Sequence, residues 1–310
     1  MDLKRWLCFN RMVAEVINNM AREKRIHQHR FVDRFPAFAA ILLLFGGVAA
    51  VQGGGMLINV PPTIGTPEYA SVDAIGYIIA SLITLWIYKR WFYPEFEGNL
   101  RGGIPGAGIR LSLFILIYWA VCFPIQFLFT PAVFGWPTLK TLSLALTAGF
   151  TEEVAFRGLP VSLLMRQWHE EKRILTIMIL ISVIFGGVHI TNFFAGANLG
   201  STFMQTIGAA CMGLFFCGIY LRCGNLWVPI GVHALHDLLC FLDVAGIQNG
   251  VVVQEITWFS FLDLAFSIGM GILGIWMVRP SKRAEIRHLW NRKWNITDTP
   301  SEPPIEMPVS

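Results

Sequence analysis

Apolar residues along this chain gather into eight runs, each near the roughly 20 residues that a bilayer's hydrocarbon core demands of a helix. They cover about 37–60, 72–88, 111–130, 141–164, 174–195, 202–221, 226–242 and 258–278, with short polar connections between them. The second, third and seventh are brief or interrupted, the third by Pro124. The pattern predicts an all-α, polytopic membrane protein with about eight transmembrane helices. It divides the chain into a basic N-terminal tail at 1–35, a transmembrane domain at 36–278 and a C-terminal tail at 279–310.

Composition supports the same class. The 310 residues are 55% hydrophobic and only 14% charged, with a mean hydropathy of +0.56, too apolar for an ordinary soluble domain. The first 35 residues carry charges throughout and never form the apolar core of a signal peptide, so the first spanning helix is expected to act as the insertion signal. Six cysteines show neither CxxC pairing nor a small secreted framework and read as inert buried thiols. The net charge of +4 is modest. Its basic residues cluster in tails and alternate loops and form no nucleic-acid stripe, so the bilayer is the expected partner and no nucleic acid is.

Cytoplasmic loops hold an excess of Lys and Arg. With the N-terminus inside, eight fall between Lys4 and Arg34, four between Lys89 and Arg110, three between Arg166 and Arg173, one at Arg222 and six between Arg279 and Lys293, which puts 22 of 24 on the cytoplasmic side. Lys140 falls outside and Arg157 within the fourth run, while Glu68, Asp73, Asp243 and Glu255 lie near the outer ends. This predicts that both termini are cytoplasmic, and the short loops suggest a bacterial protein, in which the membrane would be the inner one. The N-terminal tail spaces apolar and basic residues as a helix on an anionic leaflet does, and equally as a solvated basic tail does. In the C-terminal tail, Trp290 and Trp294 beside Arg and Lys suit the membrane interface, and the Pro-rich end is expected to be disordered. The Asn295-Ile296-Thr297 sequon, on the cytoplasmic side, is expected to be unused.

Ionisable groups at membrane depth cost a few kcal/mol each and point to function. In the fourth run, "TEEVAFRGLP" sets Glu153 and Arg157 four residues apart on one helical face, where they are expected to pair. Glu152 turns about 100° away and has no local cation, which gives a carboxylate in a low-dielectric site the basicity of a general base. In the fifth run Phe185 and His189 share a face, with Gly186 and Gly187 between them permitting close approach of a neighbouring helix or a substrate backbone. In the seventh, His233 and Asp237 do the same, and His236 stands about 60° round the helix from His233, in the site or at its edge. A Glu–Arg pair or a single membrane histidine is commonly structural, but three such sets on three helices can meet in one intramembrane cavity. There they would supply water activation and oxyanion stabilisation for hydrolysis, or His and carboxylate ligands for zinc. A proton or ion pathway is the next reading.

The ordered set Glu-Glu-x-x-x-Arg (Glu152, Glu153, Arg157), Phe-x-x-x-His (Phe185, His189) and His-x-x-x-Asp (His233, Asp237) resembles the CPBP intramembrane protease family, which includes CAAX prenyl endopeptidases and the bacterial Abi and bacteriocin-immunity proteins. "GNLWVPIGVHALHD" is similar to the family's stretch before its last histidine, and the resemblance covers about 140–242. It implies that Glu152 and His189 activate the attacking water while His233 and Asp237 stabilise the oxyanion or complete a metal site. Glu153, Arg157 and Phe185 would support them. The family has been described both as zinc metalloproteases and as metal-free glutamate proteases. This chain lacks His-Glu-x-x-His, while an aspartate at 237, where eukaryotic members usually carry asparagine, is the better metal ligand, so Zn2+ held by Glu152, His189, His233 and Asp237 is the cofactor to test.

The leading expectation is an endopeptidase of a membrane-associated or prenylated, CAAX-type protein or peptide. No Gly-x-Ser-x-Gly elbow is present to suggest a serine mechanism. The rivals are a transporter, which would often show inverted repeats not found here, and a catalytically silent scaffold or immunity protein.

Overall fold

The computed structural model describes residues 30–58, 69–130, 133–168, 170–243 and 256–296, with two short strands, β1 (Ile247–Gln248) and β2 (Val251–Val252), paired antiparallel. The described helices are α1 (Arg30–Arg34), α2 (Pro36–Ile58), α3 (Tyr69–Ile87), α4 (Pro105–Ser112), α5 (Phe114–Phe129), α6 (Leu139–Glu152), α7 (Pro160–Gln167), α8 (Arg173–Val188), α9 (Leu199–Cys223), α10 (Trp227–Cys240), α11 (Trp258–Met277) and α12 (Pro280–Lys293). The architecture is the all-α, polytopic one that the hydrophobic pattern predicts.

All eight apolar runs fall on helices, but a count of eight spans does not follow. Among the described residues five stretches are long and apolar enough to cross a membrane: Pro36–Ile58, Pro105–Phe129, Arg173–Phe193, Leu199–Cys223 and Trp258–Met277. The seventh run folds as α10, only 14 residues long. The fourth is broken, because between α6 and α7 the backbone opens into a π-turn, Glu153–Gly158. Pro160 at the start of α7 has no N–H to continue an α-ladder, and the Leu159 N–H reaches back to the Val154 carbonyl at 3.1 Å. Such π insertions recur at functional sites because they re-aim side chains inside a helix.

Two glycines set the helix spacing around this turn. A Cβ on Gly149 would come within about 3 Å of the Ile230 carbonyl and of Ala234, so α6 and α10 touch there. A Cβ on Gly186 would collide with the Thr206 carbonyl, so α8 lies against α9. Of the two glycines expected to permit close approach, Gly186 does so against a helix, while Gly187 faces open space.

The C-terminal segment corrects an expectation. Residues 280–296 are not a loose interfacial tail: α12 docks on the bundle with Trp290 and Trp294 fully buried. Their indole N–H groups donate to the carbonyls of Leu221 (3.0 Å) and Ser162 (3.1 Å). Arg287 donates to the Met165 carbonyl at 2.7 Å and the Trp168 carbonyl at 2.5 Å, satisfying the open C-terminal end of α7 with a cation, as the helix dipole favours. Lys293 donates to the Arg101 carbonyl (2.7 Å), and Trp294 stacks on Phe96 at 4.3 Å. The largest core cluster lies at this end, uniting Val154, Phe156, Leu159 and Leu163 with Ile177, Tyr220, Leu226 and Trp290. Residues 1–29 and 297–310, with Glu68, Glu255 and the sequon's Thr297, lie outside the described residues.

Candidate active site

The expected pair forms: Arg157 Nη1 lies 2.9 Å from Glu153 Oε1, and both side chains are wholly buried. Burying ions costs several kcal/mol unless their remaining valences are met. Here the guanidinium carbon sits 4.0 Å above the Phe185 ring and 5.9 Å from that of Phe216, a cation–π cradle for nitrogens Nε and Nη2 that have no hydrogen-bond partner.

Glu153 does more than pair with the arginine. The same Oε1 accepts from His233 Nδ1 at 2.8 Å, across from α10 to the π-turn. The His233 ring is stacked on Phe216 at 4.7 Å and 22°, and Phe185 meets it edge-on at 6.0 Å. With Nδ1 donating to a carboxylate, only Nε2 faces the remaining chemistry. It lies 3.7 Å from Glu152 Oε2 and 3.6 Å from Asp237 Oδ2. These separations are too long for direct hydrogen bonds but let all three atoms approach one water or substrate oxygen.

His189 closes α8, where the chain tightens into a 3-10 turn, His189–Phe193. Its Nδ1 is 2.9 Å from the Phe185 carbonyl, which can only accept, so Nδ1 carries the hydrogen and the neutral ring keeps its lone pair on Nε2. Phe185 packs against the same ring edge-on at 5.0 Å. Glu152, His189, His233 and Asp237 all line one cavity of about 680 Å³, together with Phe185 and His236. This is the size of an ordinary ligand site. Glu152, with 32% of its side chain accessible, reaches into it, whereas its neighbour Glu153 is sealed beneath.

His236 lines the same cavity: its ring packs on Trp119 (5.0 Å) and Tyr118 (5.6 Å), and Nε2 is 3.9 Å from Cys240 Sγ. Three other wall residues escape the motif reading. Phe216 carries no signal beyond apolarity. Tyr118, whose hydroxyl donates to Asp263, is likewise one aromatic among many. Asp263 is different: a lone carboxylate in an apolar run is the signal that singled out Glu152, and it applies equally here.

The four polar groups were also expected to suit zinc. Among the described residues, however, no three His, Cys, Asp or Glu side chains converge as a metal's ligands would. His233 Nδ1 is committed to Glu153, and among the described residues no ion pair within 4 Å joins His189 to Glu152 or Asp237. The donor set does not fit a resident metal, and no step is derived through one.

No curated protein and no solved structure is significantly similar to the chain. A family model does match, over residues 134–239, which include Glu152, Glu153, Arg157, Phe185, His189, His233 and Asp237. That model is described as Rce1-like, type II CAAX prenyl endopeptidase Rce1-like, and residues 134–239 of this chain are similar to that family.

Proposed function

We propose that the protein is an intramembrane endopeptidase that hydrolyses a peptide bond of a membrane-associated or lipidated protein or peptide. The observation that carries this reading is that Glu152, His189, His233 and Asp237 line one cavity, with His233 held by the buried Glu153–Arg157 pair.

Glu152 is the general base. It takes a proton from a water whose oxygen attacks the scissile carbonyl carbon, and His189 Nε2 accepts from or orients the same water. The bond to the carbonyl oxygen opens to an oxyanion beside His233 and Asp237. Because His233 Nδ1–H already serves Glu153, Nε2 donates to that oxyanion only when the ring is an imidazolium, and Asp237 donates only when protonated. As the C–N bond breaks, the proton held by Glu152 passes to the leaving amine, and no acyl-enzyme forms.

The test compares purified wild type with Glu152→Ala and His189→Ala on a prenylated peptide and a panel of membrane peptides. Cleavage by the wild type and its loss in both variants is the expected result. Cleavage that survives both substitutions would remove these residues from the chemistry, and an in-cell phenotype kept by both without any cleavage would favour the scaffold reading.

A further inference from the structure

The ends of the bundle differ, and the difference bears on what can reach the site. At one end α12, the 93–103 connection and the 166–173 connection are knitted together by Arg287, Trp290, Lys293 and Trp294. This end is closely packed around those four side chains, and its own pocket, between α12, Ile104, Ala107 and Arg222, shares no residue with the catalytic cavity. Along α9 every residue from Met212 to Cys223 is buried except Leu214 and Arg222, whereas between Leu199 and Cys211 only Ser201 and Thr202 are. The broken helix repeats the gradient: from Gly149 through Met165 only Glu152 is not buried, while of Leu139–Ala148 only Ser143 and Ala145 are. The cavity lies in the loosely packed half. Its wall is completed by residues at the far ends of their helices: Gln126 late in α5, Thr191 past α8, Ser201 at the start of α9, Asp243 past α10 and Ser260 at the start of α11.

Basic residues mark which end is which. Those of the described connections, Lys89, Arg90, Arg101, Arg166, Lys172, Arg173 and Arg222, lie at the α12 end with the basic residues of α12 itself, and Lys140 is the one described basic residue at the other end. By the positive-inside rule the α12 end is cytoplasmic.

We propose that the catalytic groups are reached from the end opposite α12, the non-cytoplasmic face, and that the substrate is an internal peptide segment presented at that surface. The inference rests on the endopeptidase reading for what happens to the segment, but not for the route it takes. The wall agrees with an internal segment: it contains Glu152, Asp237, Asp243 and Asp263 and no arginine or lysine to pair with a chain's free terminal carboxylate. A lipidated tail held on the cytoplasmic leaflet would face the α12 end, from which no residue lines the catalytic cavity.

Single-site probes on the full chain test this. Thr191→Cys places a thiol at the cavity mouth and Arg292→Cys one on the exposed face of α12. A membrane-impermeant maleimide is added to right-side-out and inside-out vesicles, and labelling is read site by site by peptide mass spectrometry, so the native cysteines stay in place. The expected pattern is fast labelling at 191 only in right-side-out vesicles and at 292 only in inside-out ones. The reverse pattern, or both sites labelled from one side, overturns the proposal. A quenched peptide with lysines flanking its scissile segment, added outside right-side-out vesicles, should be cleaved by wild type and not by Glu152→Ala. Cleavage confined to inside-out vesicles overturns the proposal, whereas the expected labelling with no cleavage in either orientation supports the route and overturns the endopeptidase reading.

Discussion

Glu152 and Glu153 are adjacent carboxylates with opposite surroundings, and their substitution should separate chemistry from folding. Glu152 is partly open to the cavity and holds no short hydrogen bond, so Glu152→Gln is expected to lower kcat by about 10²–10⁴-fold while the Tm in detergent scarcely moves. Glu153 is sealed between Arg157 and His233. Glu153→Ala leaves a buried guanidinium without its counter-charge, and a loss of about 3–5 kcal/mol is expected, seen as a large drop in Tm or failure to purify in folded form. Equal losses of stability in the two variants would refute the distinction. The Glu153–Arg157 pair was legible because both charges fall within an apolar run at helical spacing. That Glu153 also fixes His233 was not, because a contact between residues 80 positions apart is set by helix packing and leaves no trace in local spacing.

Among the elements, the broken fourth run and α12 show what a hydrophobic pattern can and cannot say. Apolarity located α6 and α7 but could not distinguish a straight span from two helices joined by a π-turn, although Pro160 marks the place. The turn begins directly after Glu152 and takes in both Glu153 and Arg157, and Glu152 reaches the cavity while Glu153 is buried in the protein. For α12 the sequence suggested a membrane interface, because its tryptophans stand beside Arg and Lys. The same residues instead satisfy the carbonyl ends of other helices, a role that local spacing does not reveal. If α12 is a structural clamp remote from the chemistry, Trp290→Ala should cost about 3–5 kcal/mol by thermal unfolding in detergent, while kcat per folded molecule stays near the wild-type value. A kcat loss comparable to that of Glu152→Gln would instead tie the clamp to catalysis.

For the molecule as a whole, the decisive question is whether the cavity works by its own acids and bases or through a metal. The sequence favoured a metal because aspartate at 237 is a good ligand, an argument from residue type that takes no account of where the atoms lie. The structure brings Glu152 and Asp237 each within about 4 Å of His233 Nε2, but His189 stands elsewhere on the cavity wall, and no three-ligand set forms among the described residues. Four dispersed groups suit a water and a peptide carbonyl held between them, since each must reach a different atom of the reaction, whereas zinc would draw at least three within about 2 Å of one point. Extensive dialysis against a strong chelator is therefore expected to leave peptide cleavage intact, with metal analysis of the same samples confirming that no stoichiometric ion remains. Loss of cleavage on chelation, with recovery on adding Zn2+ to wild type but not to His189→Ala, would show that the side chains gather further than they do here and would replace the metal-free mechanism.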